Sequence, residues 1–324
     1  MFGMIHDEGV EIRREFLLED AFEKLYPKQD AIKDRLRIQF IDENYMHEEG
    51  IDGGGLTKEF LTKLTQNIFD PHFSFFTETP IDHRLYPNHL SVLVPNFKNL
   101  FRFFGMVVGK AIFEGILLKC SFARFFLNRF AENPGSITGS RNQVDDLSSL
   151  DPDLYKNLMM LKYYEGNVED LGLTFAINED HLGTTRTILL VPGGDQEPVT
   201  NENKLEYIMY YADYMLNKKV KTQTQAFVEG LQMVIRKDHL SIFFSDEIQL
   251  LISGGVETEI DIDDLRKHTQ YNGYTDRDPY INEFWQIVKA LSPDEKEKFL
   301  QFVTGCNRPP LLGFKYLIPQ FCIH

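Results

Sequence analysis

Cysteine, tryptophan and positive charge are all scarce in this sequence, which has three Cys and one Trp in 324 residues. Cys120, Cys306 and Cys322 lie far apart with no Cys-x-x-Cys pair, which argues against a disulfide framework or a cysteine zinc site. A reducing, intracellular compartment is expected, cytoplasmic or nuclear. Lys and Arg number 34 against 49 Asp and Glu, a formal charge of −15. Such a surface repels phosphate backbones and anionic lipid heads, so neither nucleic-acid nor membrane binding is expected.

Long uncharged runs are also missing. Met1 to Glu15 meets His6, Asp7, Glu8, Glu11, Arg13 and Arg14 before any apolar stretch has grown, so no signal peptide is read there. The most apolar stretch, Phe97 to Phe130, is interrupted by Lys98, Arg102, Lys110, Glu114, Lys119 and Arg124. Those charges keep it below the roughly 18 uncharged residues that a membrane span requires, and it reads as buried helix. Gly105, Gly109 and Ala111 within it would let another backbone approach closely.

What is abundant is aromatic: 27 Phe and 14 Tyr, far more than a disordered chain would carry. The length fits about two compact units. Periodicity and capping predict helices over Asp20–Tyr26, Thr57–Phe69, Gln225–Ile235 and Asp246–Ile252. They predict strands over Arg35–Ile41 and Leu90–Val94, and a strand pair at Leu171–Ile177 and Arg186–Val191. Asp151-Pro152-Asp153 reads as an N-cap, a first-turn proline and a dipole-matching acid. Asp278-Pro279 starts a helix holding Trp285, and Ser292-Pro293-Asp294-Glu295 is a capping box whose helix ends at Gly305. A boundary is expected in the Asn-, Pro-, Gly- and Ser-rich stretch from Asn133 to Ser149, and Gly254-Gly255 is a place for a hinge.

Chemistry-bearing motifs are few. Gly105 to Lys110 is one residue short of a phosphate loop and lies mid-helix, where amides are already bonded. Gly53-Gly54-Gly55 precedes a helix and reads as a tight turn or, less readily, an anion cradle. No pair of histidines has metal-ligand spacing. Cys120 reads as buried within the apolar helix, Cys322 as a strand-core residue, and Cys306, with Arg308 near, as a weak nucleophile candidate. Phe73, Phe75 and Phe76 read as core or as a partner surface. Leu154, Leu158 and Leu161, at i, i+4 and i+7, form an apolar face that is either core or a partner groove.

The string Glu48-Glu49-Gly50-Ile51-Asp52-Gly53-Gly54-Gly55-Leu56-Thr57-Lys58-Glu59-Phe60 resembles the HECT-type ubiquitin ligases. So do Phe104 to Ile112, Thr200 to Lys204, Phe284-Trp285 and Leu300 to Gly305, in the family's order, and Tyr164 to Asp170 resembles the single-HECT branch. The resemblance implies an α+β, bilobal fold, with a mainly helical N-lobe carrying a small α/β subdomain, and a C-lobe. On this chain the large N-lobe subdomain would fall on residues 1–149 and 222–253, the small subdomain on 150–221, the hinge on 254–255 and a partial C-lobe on 256–324.

The resemblance further implies a ubiquitin transferase whose partners are a ubiquitin-conjugating enzyme, ubiquitin and protein substrates, with no metal or cofactor. By motif match the groove for the conjugating enzyme would be formed by Leu154, Leu158, Leu161, Tyr164, Leu173 and Tyr207. A second ubiquitin would sit near Phe73, although His72 and Ser74 depart from the family's usual residues. The hinge would be Gly254 and Gly255. The family's nucleophile, a cysteine preceded by threonine, has no counterpart here and is expected beyond His324. On that expectation the chain alone is an inactive module that binds the conjugating enzyme.

Overall fold

The computed structural model describes residues 9–43, 45–48, 55–132, 142–181, 183–255 and 260–324. Among them, helices dominate and strands occur as two-stranded sheets, an α+β architecture as expected. Strand β1 (Val10–Arg13) precedes helix α1 (Leu17–Leu25), and β2 (Ile38–Ile41) runs parallel to β1 with Val10 opposite Ile38. Helix α2 (Gly55–Ile68) buries Phe60, Leu61, Leu64 and Ile68, the four residues whose spacing predicts it. Gly53 and Gly54 lie outside the described residues, as do 133–141 of the expected boundary.

The hairpin of β3 (Phe76–Glu78) and β4 (Leu85–Pro87) follows. Leu90 to Val94, expected as a strand, is instead a 3-10 turn over His89–Leu93. The Asn88 side chain accepts the Leu90 amide at 3.0 Å and starts the turn. Helix α3 (Phe97–Phe113) covers only half of the apolar stretch. It stops because Gly115 takes φ +68°, and the Gly115 and Ile116 amides bond back to Ile112 and Ala111 at 3.1 and 2.8 Å. Cys120 therefore sits in the irregular segment beyond the helix, not within it. Short helices α4 (Arg124–Leu127) and α5 (Leu147–Leu150) lead to α6 (Pro152–Lys162).

Strands β5 (Ala176–His181) and β6 (Thr184–Leu189) pair antiparallel, with Ala176 opposite Leu189. The first begins five residues later than the pattern suggests, because Val168–Leu171 is a 3-10 turn. Helix α7 (Lys204–Asp213) runs into one π turn at Tyr214–Lys218, and α8 (Lys221–Val234), α9 (Lys237–Leu240) and α10 (Ser245–Ser253) complete the first unit.

The centre of that unit is the crossing of α3 and α8. A methyl group on Gly105 would stand 1.9 Å from the Phe227 carbonyl oxygen, and one on Gly230 would stand 1.8 Å from that of Arg102. The two glycines thus bring the helix backbones into direct contact, as the small residues of α3 predict. An Arg102–Glu229 ion pair spans the crossing. Phe76, Phe122, Phe126 and Phe130 pack around Phe227, with ring centroids 5.1 to 6.2 Å from it. Burial of each such ring is worth about 1.5–3 kcal/mol. Lys110, one of the charges in the apolar stretch, is fully buried; its ammonium donates to Asp34 O at 2.8 Å and pairs with Glu114 at 2.5 Å.

A second apolar core belongs to α11 (Ile262–Lys267), β7 (Gln270–Tyr271), α12 (Pro279–Ala290), α13 (Pro293–Thr304) and β8 (Cys322–Ile323). Trp285 is its centre and donates to the Tyr271 hydroxyl at 2.9 Å. Both sequence signals for α13 hold: Ser292 and Glu295 form the capping box, and Gly305 closes the helix at φ +77°. The two cores meet where Arg308 donates to Ser253 O at 2.6 Å and Lys119 pairs with Glu297 at 3.1 Å.

Alanine at a helical glycine ordinarily stabilises by about 1 kcal/mol. Here Gly105→Ala and Gly230→Ala each lower stability by about 1–3 kcal/mol or more in urea unfolding, because the backbones must part. Gly255→Ala, with nothing within 4 Å of the added methyl, changes stability by less than about 0.5 kcal/mol.

Candidate functional site

Helix α6 starts as its sequence dictates, with the Asp151 carboxylate accepting the Leu154 amide at 2.9 Å and Pro152 in the first turn. Its apolar period puts Leu154, Leu158 and Leu161 on one face. Opposite stands α7, whose Tyr207 packs edge-on against Phe175 and Tyr211 at centroid distances of 5.6 and 5.9 Å. The segment between them is held at both ends. Lys204 donates to Tyr164 O at 2.8 Å, and the Asn201 side chain accepts the Val168 amide at 3.1 Å.

All six residues named from the sequence, Leu154, Leu158, Leu161, Tyr164, Leu173 and Tyr207, line one shallow apolar groove of about 390 Å³. Leu158, Leu161 and Tyr207 form a buried floor, and Leu154 and Leu173 are half-buried. Burial pushes the Tyr207 phenol up to about 12, so its hydroxyl stays neutral at physiological pH. The rim holds Tyr164 together with three residues that periodicity did not single out: Met160, 63% exposed, Leu171, 45% exposed, and the half-buried Tyr211. Met160 falls out of step with the leucine face, and Leu171 ends a 3-10 turn, so neither is found by an i, i+4 search. Tyr211 does stand four residues after Tyr207 on α7. An apolar floor, large flexible rim side chains and few charges suit a protein partner more than a reaction.

The floor of the groove is continuous with the apolar core of the first unit, and polar contacts brace it. Tyr214, in the π turn after α7, donates to Glu179 at 2.8 Å, and Lys219 pairs with the same carboxylate at 2.8 Å. Asn142 donates to Asn217 at 2.8 Å and to Phe125 O at 2.9 Å.

The remaining sequence-named residues are not part of the groove. Phe73 is 41% exposed and stacks on Phe75 at 6.2 Å, whereas Phe75 and Phe76 are core. His72 beside it is held by Asp70, which accepts from its amide at 2.8 Å, and Ser74 takes φ +56°. Gly254 ends α10 at φ +72°, a conformation that favours glycine, while Gly255 has open space around its α-carbon.

Neither Cys120 nor Cys306 is an activated thiol. Burial pushes Cys120 up to about 12 despite the Arg308 charge. Cys306 is buried and raised by the same cause, which outweighs Lys58. Cys322 lies half-buried in β8. No group of three His, Cys, Asp or Glu side chains among the described residues could hold a metal, and none of the described helices is long and apolar enough to cross a membrane.

The HECT-domain (ubiquitin-transferase) family profile matches residues 62–324. The chain is 42% identical over 321 residues to the human ubiquitin-protein ligase E3B, which covers 98% of this chain and 30% of the relative. It is also 42% identical over 324 residues to the E3 ubiquitin-protein ligase UPL6 of Arabidopsis thaliana, covering 99% of this chain and 31% of the relative. Identity to the E3 ubiquitin-protein ligase RSP5 of Emericella nidulans is 36% over 320 residues, 98% of this chain and 37% of that protein. The chain thus spans about a third of the length of these relatives. With the profile match and these identities over nearly its whole length, the chain belongs to the HECT-domain (ubiquitin-transferase) family.

Proposed function

We propose that this chain is the part of a ubiquitin ligase that docks a charged ubiquitin-conjugating enzyme in the groove between α6 and α7. The observation that carries this reading is the convergence of six sequence-named residues on one apolar depression with exposed Met160 and Leu171 at its rim. Aliphatic and aromatic anchors of this kind bind a partner loop through a few hot spots and release it readily, as repeated delivery of ubiquitin requires. In the complete protein, a cysteine thiolate attacks the thioester carbonyl of the charged conjugating enzyme and expels its thiolate, so ubiquitin changes carrier with little change in bond energy. A substrate lysine amine then attacks the new thioester, forming an amide and regenerating the thiolate. Neither step calls for a metal or cofactor.

The two cores joined at Gly254-Gly255 are read as N-lobe and C-lobe, with the small subdomain over 150–221 and the turn at Gly254 as the hinge that brings donor and acceptor together. Phe73, exposed beside a buried aromatic cluster, is read as the contact for a second ubiquitin. A second reading rests on the burial of Cys120 and Cys306: these 324 residues alone hold the conjugating enzyme without accepting ubiquitin. The protein is taken to work inside the cell, in cytoplasm or nucleus.

Leu158 is 3% exposed and belongs to the core, so a charge there would unfold the floor; the rim is the place to test docking. Met160→Glu and Leu171→Glu should each weaken calorimetric binding to a responsive conjugating enzyme by about 10- to 30-fold with unchanged thermal melting. Unaltered affinity in both would sink the groove assignment. Incubation with charged conjugating enzyme should leave no reducible ubiquitin adduct on these 324 residues in a non-reducing gel; an adduct would instead implicate a cysteine that burial disfavours. Proline at both Gly254 and Gly255 in the full-length protein should slow transfer while leaving docking affinity intact, and undiminished transfer would remove the hinge.

A further inference from the structure

The segment 306–318 folds back over the start of α2 and the end of α3 and encloses a cleft of about 710 Å³ between the two cores. Its apolar lining comes from both sides: Phe113 and Leu117 on one, Leu311, Leu312 and Leu317 on the other. Its charged lining is of nearly one sign. Lys33, Arg35, Lys58 and Arg308 face a lone carboxylate, Glu114, which is already engaged by the buried Lys110. Among the described residues Lys33, Arg35 and Lys58 pair with no carboxylate. In a chain with a formal charge of −15, a concentration of cations against apolar walls runs against the general field of the surface.

The backbone beneath Lys33 and Arg35 is fixed, and so is the ammonium of Lys58. Lys110 donates to the carbonyls of Lys33 and Asp34 at 3.4 and 2.8 Å, fixing the strand of backbone that carries Lys33 and Arg35 against α3. Lys58 donates to Ile318 O, so its ammonium lies at the seam. Burial lowers its affinity for a proton, which a bound anion would reverse.

We propose that this cleft binds a small amphipathic anion, a phosphate or carboxylate head on an aliphatic body, with the head at Lys33, Arg35 and Lys58 and the body along Phe113, Leu117 and Leu312. The volume lies within the range of small-molecule sites, and a mostly apolar wall with a few convergent charges is their usual chemistry. Cationic side chains give charge-assisted hydrogen bonds to such a head, and desolvation by the apolar walls strengthens them. The ligand touches both cores and therefore holds them in the arrangement seen here.

Dodecyl phosphate, titrated into the full chain below its micelle concentration, is the probe. One saturable site is expected by calorimetry, weakened at least about tenfold by Arg35→Glu and by Leu312→Glu. Both side chains are exposed, Leu312 at 73%, so both variants should melt as the parent does. Dodecyltrimethylammonium, with the same tail and the opposite charge, should not bind. Capture by phosphatidic acid vesicles would assign the anion to a lipid, and its absence to a soluble amphiphile. The inference is overturned if the cationic amphiphile binds equally, if both folded variants bind as the parent does, or if an acidic leucine-rich peptide binds where dodecyl phosphate does not.

Discussion

The close crossing of α3 and α8 is the constraint on which the rest of the structure depends. Gly105 and Gly230 bring the two backbones to a separation that no side chain would permit, and Gly109 continues the contact against Val234. That approach lets Phe227 reach into the ring of Phe76, Phe122, Phe126 and Phe130. It also explains how a lysine is accommodated in a helix whose face is otherwise apolar. Lys110 replaces water with two carbonyls and one carboxylate, the condition under which a buried charge is tolerable.

From this centre the apolar core extends to the candidate groove, and a second core lies beside it. The helices of the groove are capped by their own residues, and their floor, Leu158, Leu161, Tyr207 and Ile208, continues the apolar core of Phe126 and Phe227, with Glu179 and a set of asparagine amides bracing the outside. The second core joins through Arg308, Lys119, Lys58 and the backbone at Gly254 and Gly255, and Cys306 beyond α13 packs into the first core.

Much of this was legible in the sequence wherever one local signal decided the structure. The Ser292 capping box, the Asp151 cap and the leucine period of α6 need only neighbouring residues, and the glycines of α3 announced close packing without identifying α8 as its partner. The misreadings arose where two local signals competed. Leu90 to Val94 carries strand-forming residues, but the Asn88 side chain captures an amide first and makes a turn. The apolar run from Phe97 outlasts its helix because composition does not register Gly115, whose positive φ ends it. The groove itself was read from a resemblance and from i, i+4 spacing. Met160 and Leu171 reach its rim only through tertiary placement, and the cationic cleft is assembled from residues as distant in sequence as Lys33 and Leu317, which no window would connect.

The central claim is that the face between α6 and α7 is where a ubiquitin-conjugating enzyme is held. Hydrogen–deuterium exchange of the chain with and without a saturating conjugating enzyme tests it most directly, because exchange reports a location as well as binding. The account predicts slowed exchange in residues 152–173 and 203–214, with the α3–α8 crossing unchanged. Protection confined to any other surface, with those two segments unaffected, would contradict it.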